Sequence, residues 1–250
     1  MGVKLKNLSF SYGGQQVLDN ISCTFQSGSV HAILGVNGAG KSTLINLLAG
    51  FLKPDNGAIF LDNNNLQQLS LSHRARNIAY VPQQQQLNDL TVSDYLLLGR
   101  TPYIRWQAGN KDETIVFSTL EKLKLNHLAL RPLHTLSGGE LQKTSLARAL
   151  VQQPKVLLLD EPSSSLDMKN QLEVMEIIVR ETVNNGLTTI ITMHDVNLAL
   201  RFADNFILMK DQRILAYGGI DVMSVEYLSE LYGLKIEIHK VGESILVMPE

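Results

Sequence analysis

Nine residues, Gly35-Val36-Asn37-Gly38-Ala39-Gly40-Lys41-Ser42-Thr43, fit the phosphate-loop pattern G-x-x-x-x-G-K-[ST]. Glycines at this spacing let successive backbone N–H groups turn inward and form a nest for phosphate oxygens. A helix starting behind the loop adds the partial positive charge of its N-terminus. Lys41 has the reach for β- and γ-phosphates, and the Ser42 hydroxyl suits Mg²⁺. Three further places carry chemistry. Asp160-Glu161 closes the apolar run Lys155–Leu159, which places two carboxylates where one can hold a divalent cation and the other can orient water. His194 closes the apolar run Leu187–Met193. Leu136-Ser137-Gly138-Gly139-Glu140 puts two glycines at the start of a helical pattern, which reads as a second anion-binding helix end or as an ordinary cap with a loose turn.

These groups need elements to hold them. Val30–Leu34 is short, apolar and β-branched and predicts a buried strand, and Leu44–Ala49 predicts the helix after the loop. Strand, glycine loop and helix is the context that a phosphate loop requires. Val3–Phe10 alternates as a half-buried strand, and Val17–Phe25 follows as a second. Pro54–Gly57 is a turn with a short strand, Ala58–Leu61, behind it. Asn63–Asn65 reads as a polar loop, and Asn77–Pro82 as a strand leading to Gln83–Gln86. From Leu90 to about Gln153 the pattern is helical, with helices over Val92–Leu98, Thr114–Leu125 and Leu141–Val151. The fully apolar Lys155–Leu159 predicts a central parallel strand, whose carboxyl end is where ligands bind in open α/β sheets. Residues 206–209 and 213–216 predict a hairpin. The tail from Asp221 holds one helix, Val225–Tyr232, and two short strand-like runs, too short for a regulatory domain.

The chain has 250 residues and a formal net charge of −2, with 44% hydrophobic and 18% charged residues. These values fit a globular protein with one large domain, or a core domain with a subdomain, and do not advertise nucleic acid as a partner. A single cysteine, Cys23, fits a reducing compartment and a small buried hydrophobe. No apolar run has the ~20 residues of a membrane span, and no signal-peptide pattern opens the chain. Met1-Gly2 resembles the start of a myristoylation site, but Lys6 stands where Ser or Thr is wanted. The expected location is therefore cytoplasmic. Tyr12 reads as a packing residue or as a ring that could stack on a base, and Trp106 as a partly buried packing residue in preference to an interface anchor. His31, His73, His127, His134 and His239 lack metal-ligand spacing.

Taken together, the chain resembles the ATPase subunit of ATP-binding cassette (ABC) transporters over essentially its full length. Tyr12 matches the A-loop aromatic, Gly35–Thr43 Walker A, Gln83 the Q-loop, and Leu157–Glu161 Walker B. Leu136–Glu140 resembles the LSGGQ signature with Glu in the last place; Ser165–Asp167 matches the D-loop and His194 the switch histidine. Leu98–Pro102 and Met193–Ala199 look like subunits of the type II importer group, which serve iron-siderophore complexes, haem or cobalamin, with related subunits for molybdate and other chelates. The resemblance implies an α/β fold. A P-loop core with a parallel central sheet (1–86 and 154–250) would carry an N-terminal antiparallel β subdomain and a helical subdomain over 87–153. It implies ATP and Mg²⁺ as cofactors, and ATP sandwiched between two copies of the chain. One copy would offer Tyr12, Gly35, Asn37, Gly38, Ala39, Gly40, Lys41, Ser42 and Thr43; the other would offer Ser137, Gly138, Gly139 and Asp167. Glu161 would polarise the attacking water and His194 would hold it with the γ-phosphate. Ser42 and Asp160 would hold Mg²⁺, and Gln83 would sense it. A membrane permease, and indirectly a substrate-binding protein, are the implied partners, at the cytoplasmic face of the cell membrane. Three alternatives are weighed. A soluble ABC ATPase working on ribosomes or DNA usually has two cassettes or a coiled-coil insertion. A P-loop kinase would need an acceptor site and would not need Leu136–Glu140. A nucleotide-binding module without turnover would not need Glu161 and His194.

Overall fold

The computed structural model describes residues 2–84, 89–242 and 244–250, so Gln85 and Gln86 of the glutamine run lie outside the described residues. The first strands are β1 (Gly2–Tyr12), β2 (Gln15–Gln26) and β3 (Ser29–Leu34), followed by α1 (Lys41–Ala49), β4 (Asn56–Leu61) and β5 (Asn64–Asn65). Next come α2 (Leu71–Asn77), β6 (Ile78–Val81), α3 (Val92–Leu98), α4 (Asn110–Lys122), α5 (Gly138–Val151) and β7 (Val156–Asp160). The chain continues with α6 (Met168–Asn185), β8 (Thr188–Thr192), α7 (Val196–Phe202), β9 (Asn205–Lys210) and β10 (Arg213–Gly218). It closes with α8 (Val225–Tyr232), β11 (Ile236–Val241) and β12 (Ser244–Pro249).

Every residue of β7 and β8 is buried, because these strands are covered on both faces. Successive side chains point to opposite sides, so Val156 and Leu158 enter one core while Leu157 and Leu159 enter the other. The six-stranded sheet runs β10-β9-β3-β8-β7-β6. Its strands from β9 to β6 are parallel and β10 is an antiparallel edge. One core joins this sheet to α1 and to the antiparallel sheet β2-β1-β4-β5. The other core joins it to α5, α6, α7 and α8. Cys23 is buried in the first of these cores. The ends of β3, β7 and β8 therefore meet at one edge of the central sheet.

The helices α3, α4 and α5 close a third core around Leu96, Leu120 and Ala147. Arg100, only 3% exposed, ties this group together. It donates to Asp112 at the start of α4 (3.0 Å) and to the Val151 carbonyl at the end of α5 (2.8 Å).

Several local expectations change. Asn77 ends α2 and does not begin β6, and Asn64–Asn65 pairs with β4 where a loop is expected. Helix α4 starts at Asn110, because Asp112 Oδ2 accepts from the Gly109 N–H (3.2 Å) and caps it there. Trp106 is 97% exposed and packs against no core, which corrects its reading as a packing residue.

Candidate functional site

Between β3 and α1 the loop is shaped by glycines in left-handed conformations. Gly38 and Gly40 have φ of 82° and 98°. A Cβ on Gly40 would stand 2.8 Å from the Val17 carbonyl oxygen and 2.7 Å from Leu18, so the loop can pass there only without a side chain. Asn37, Gly38, Gly40, Lys41, Ser42 and Thr43 line a cleft of about 200 Å³ with Val17 and Glu161. Lys41 is 6% exposed and folds back over the loop, donating to the carbonyls of Gly35 (2.7 Å) and Val36 (3.2 Å). Burial lowers its pKa, while the charges of Glu161 and Asp160 oppose that shift. An ammonium at a glycine nest can offset part of the charge of a polyphosphate, while the two carboxylates beside it call for a further cation.

The carboxylates sit at the end of β7. Asp160 is buried, and its Oδ1 accepts from Ser42 Oγ (3.2 Å) and from Thr192 Oγ1 (2.6 Å). These are hard oxygen donors of the kind that Mg²⁺ prefers, so the set fits that ion. Glu161 turns back over the strand end in a left-handed conformation, φ 48°. Backbone contacts hold that turn, among them the Ser164 N–H donating to the Glu161 carbonyl (3.3 Å). The Glu161 N–H donates to Thr192 Oγ1 (2.9 Å), and Ser164 Oγ donates to the Glu161 carbonyl (3.1 Å). Both oxygens of its carboxylate are engaged. Gln83 Nε2 donates to Oε2 at 2.6 Å, and His194 Nε2 pairs with Oε1. Thus β6, β7 and β8 deliver Gln83, Glu161 and His194 to one point.

The other expected residues lie elsewhere. No residue of Ser137–Glu140 lines the cleft. Ser137 caps α5: its Oγ accepts from the Glu140 N–H (3.4 Å), and Glu140 Oε2 accepts from the Ser137 N–H (2.9 Å). The stretch Ser137-Gly138-Gly139-Glu140 is a capping box, a pattern legible in the sequence as S-x-x-E. Ser137 and Gly138 are exposed and Gly139 is buried. A Cβ on Gly139 would stand 2.3 Å from Asn170 Oδ1. Asn170 Nδ2 in turn donates to Asp167, the cap of α6, at 3.0 and 3.1 Å. Asp167 and the start of α5 are therefore neighbours, joined by Asn170. Tyr12 ends β1 at 48% exposure, with its ring edge-on to Phe10, 4.8 Å between centroids. It does not line the cleft. Thr192 was not among the expected residues; its hydroxyl joins the two carboxylate-bearing positions from the neighbouring strand. A lone Thr in an apolar strand carries no signal of that role.

The profile of the family described as "ABC transporter" matches residues 18–164. The chain belongs to this family. It is an ATP-binding, ATP-hydrolysing subunit of an ABC transporter. Among curated ABC proteins, an uncharacterised ABC transporter ATP-binding protein of Methanocaldococcus jannaschii is 45% identical over 249 residues, covering 100% of this chain and 98% of that one. The haemin import ATP-binding protein of Bordetella pertussis is 35% identical over 248 residues, covering 95% and 94%. A solved inward-facing ABC transporter, provisionally assigned to the metal-chelate type, matches with a TM-score of 0.86 at 29% identity, covering 100% of this chain and 97% of that one. No helix among the described residues of this ABC subunit is long and apolar enough to cross a membrane.

Proposed function

We propose that this chain is the ATPase subunit of an importer, in which ATP closes a dimer of two copies and drives a membrane permease. The observation that carries the dimer is the separation described above. The cleft lined by Asn37, Gly38, Gly40–Thr43 and Glu161 has no contribution from Ser137–Gly139 of the same chain, whose first two residues are exposed. A second copy brings that helix start to the open side of the cleft, where the N–H groups of Gly138 and Gly139, between the two capped positions, face phosphate. The haemin-import relative and the metal-chelate-type neighbour support an iron-siderophore, haem, cobalamin or related metal chelate as cargo.

The chemistry is phosphoryl transfer to water, which positioning and charge neutralisation can accelerate. The nest at Gly35–Thr43, including Ala39, with Lys41, holds the β- and γ-phosphates, and Tyr12 stacks on adenine. Ser42 and Asp160 would hold Mg²⁺, which would supply positive charge to the phosphates. Glu161 orients the attacking water, and His194 holds that water and the γ-phosphate. Gln83 reports the state of the site. From the partner copy come Ser137, Gly138, Gly139 and Asp167. The helical subdomain, whose described residues run from 89 to 153, passes closure to the permease together with Gln83. That contact keeps the subunit at the cytoplasmic face of the membrane, where a substrate-binding protein is an indirect partner.

Two measurements test this reading. Glu161→Gln is expected to bind ATP and to form a nucleotide-dependent dimer in sedimentation velocity while turnover falls about 10²–10⁴-fold. A variant that stays monomeric with ATP, or that turns over normally, overturns the assignment. Tagged chain recovered from detergent-solubilised host membranes is expected to bring a multi-span permease with it. Recovery with ribosomes, nucleic acid or only soluble proteins replaces the importer with a soluble ABC ATPase.

A further inference from the structure

The segment that follows His194 is gripped from the far end of the chain. Asp195 caps α7, its Oδ1 accepting from the Leu198 N–H at 3.0 Å. In the first turn of that helix stands Asn197. Its Nδ2 donates to the Val247 carbonyl at 3.0 Å, and its Oδ1 accepts from the Val247 N–H at 2.8 Å. Val247 lies opposite Ile238 in the β11–β12 hairpin, and both its backbone groups face α7. The Asn197 amide thus occupies the outer edge of β12 as a neighbouring strand would. Asp195 is approached from α8 as well. The Tyr232 hydroxyl is shielded from water, and burial, with the Asp195 charge as a smaller cause, raises its pKa to about 12.

This grip adds a polar anchor to the packing of a short segment. Helix α7 has seven residues, of which Ala199 is fully buried and Val196, Leu198, Leu200 and Phe202 are half-buried against the core. The His194 side chain is 43% exposed, so close packing does not set its ring. We propose that Asn197 is a positioning residue for His194, through which the C-terminal hairpin holds the histidine in register with Glu161. The proposal rests on the reading of His194 as a group that acts on the γ-phosphate. It also gives the tail from Asp221 a role in turnover that its length alone does not suggest.

The test compares full-length Asn197→Leu, Asn197→Asp and His194→Ala in steady-state ATP hydrolysis, ATP affinity and thermal unfolding. Leu has a similar size and neither hydrogen-bonding group; Asp keeps the acceptor and loses the donor. Misaiming a group at the reacting centre lowers kcat and spares binding. The expected result is a kcat lowered about tenfold in Asn197→Leu and less in Asn197→Asp, with ATP affinity and KM within about twofold of the parent. A kcat within about twofold of the parent in both variants overturns the proposal, and so does a loss of kcat that ATP affinity follows in step. If Asn197→Leu fails to fold, Asn197→Asp decides by the same criteria. His194→Ala separates the two levels. If it keeps parental kcat, the reading of His194 falls whatever Asn197 does. If it loses turnover while the Asn197 variants keep theirs, only the positioning role falls.

Discussion

Replacing Thr192 with Val asks whether one hydroxyl aims both carboxylates. Thr192 is 0% exposed, donates to Asp160 Oδ1 at 2.6 Å and accepts from the Glu161 N–H at 2.9 Å. Valine fills nearly the same space, so no cavity opens and the loss is polar. A hydrogen bond to a charged carboxylate contributes about 1.5–3 kcal/mol, and an N–H left unpaired out of water costs about 1–3 kcal/mol. The two overlap where the backbone can relax, so the expected destabilisation is about 2–4 kcal/mol. With a urea dependence of about 3 kcal/mol per molar, the unfolding midpoint falls by about 1 M. Turnover falls as well. Glu161 keeps its left-handed φ of 48° partly through that N–H, and releasing it lets the carboxylate swing from Gln83 and His194. A loss of about 10–100-fold in kcat is expected, with Thr192→Ser restoring most of both quantities. The assay pairs urea unfolding with steady-state ATP hydrolysis on the three proteins. A Val variant with its midpoint within about 0.2 M of the parent and its kcat within about twofold would refute the reasoning.

Three further perturbations follow from particular residues. Gly40→Ala forces an L-residue into φ 98° against the Val17 carbonyl, a strain of about 1–2 kcal/mol or more, so ATP affinity by titration calorimetry should drop at least about tenfold; undiminished affinity contradicts the nest geometry. The Glu140 carboxyl is held below its ordinary pKa, first by the Ser137 N–H and then by the Ser137 hydroxyl. A depressed folded pKa stabilises above the unfolded value of about 4.3 and is lost as pH falls through the folded value. Glu140→Gln should therefore be less stable than the parent at pH 7, with the gap closing below about pH 4; a gap independent of pH counts against the capping box. Trp106→Ala should leave the unfolding free energy within about 0.5 kcal/mol, since the ring touches no core; a larger loss would show that it packs.

The parts of the fold legible in advance share one property: their signal is local. Val225–Tyr232 is a helix over the expected residues because Ser224 caps it and Gly233 ends it in a left-handed turn. The alternation in β1 and the apolar runs of β3, β7 and β8 likewise announce a half-buried sheet and a doubly covered one. Helix α2 was not legible, because it buries no residue and so has no apolar periodicity to read. Trp106 misled for the complementary reason. Its residue type favours burial, but nothing in a single loop says whether another element covers it.

By itself the sequence determined the phosphate loop, since glycine favours the left-handed turns at 38 and 40 and Lys41 and Ser42 open the helix behind them. It also determined that Asp160, Glu161 and His194 end buried strands, because the apolar runs before them are covered on both faces in any α/β packing. Tertiary structure alone decided how those groups meet. Strand order set β3, β8 and β7 side by side and β6 beyond them, which carried Gln83 and His194 to the same carboxylate. Thr192 became their common anchor, 32 residues from Asp160, and Asn197 reached Val247 across 50 residues. Contacts at such separations leave no periodicity in the chain, because hydrogen-bond geometry depends on where elements pack and not on the residue types alone.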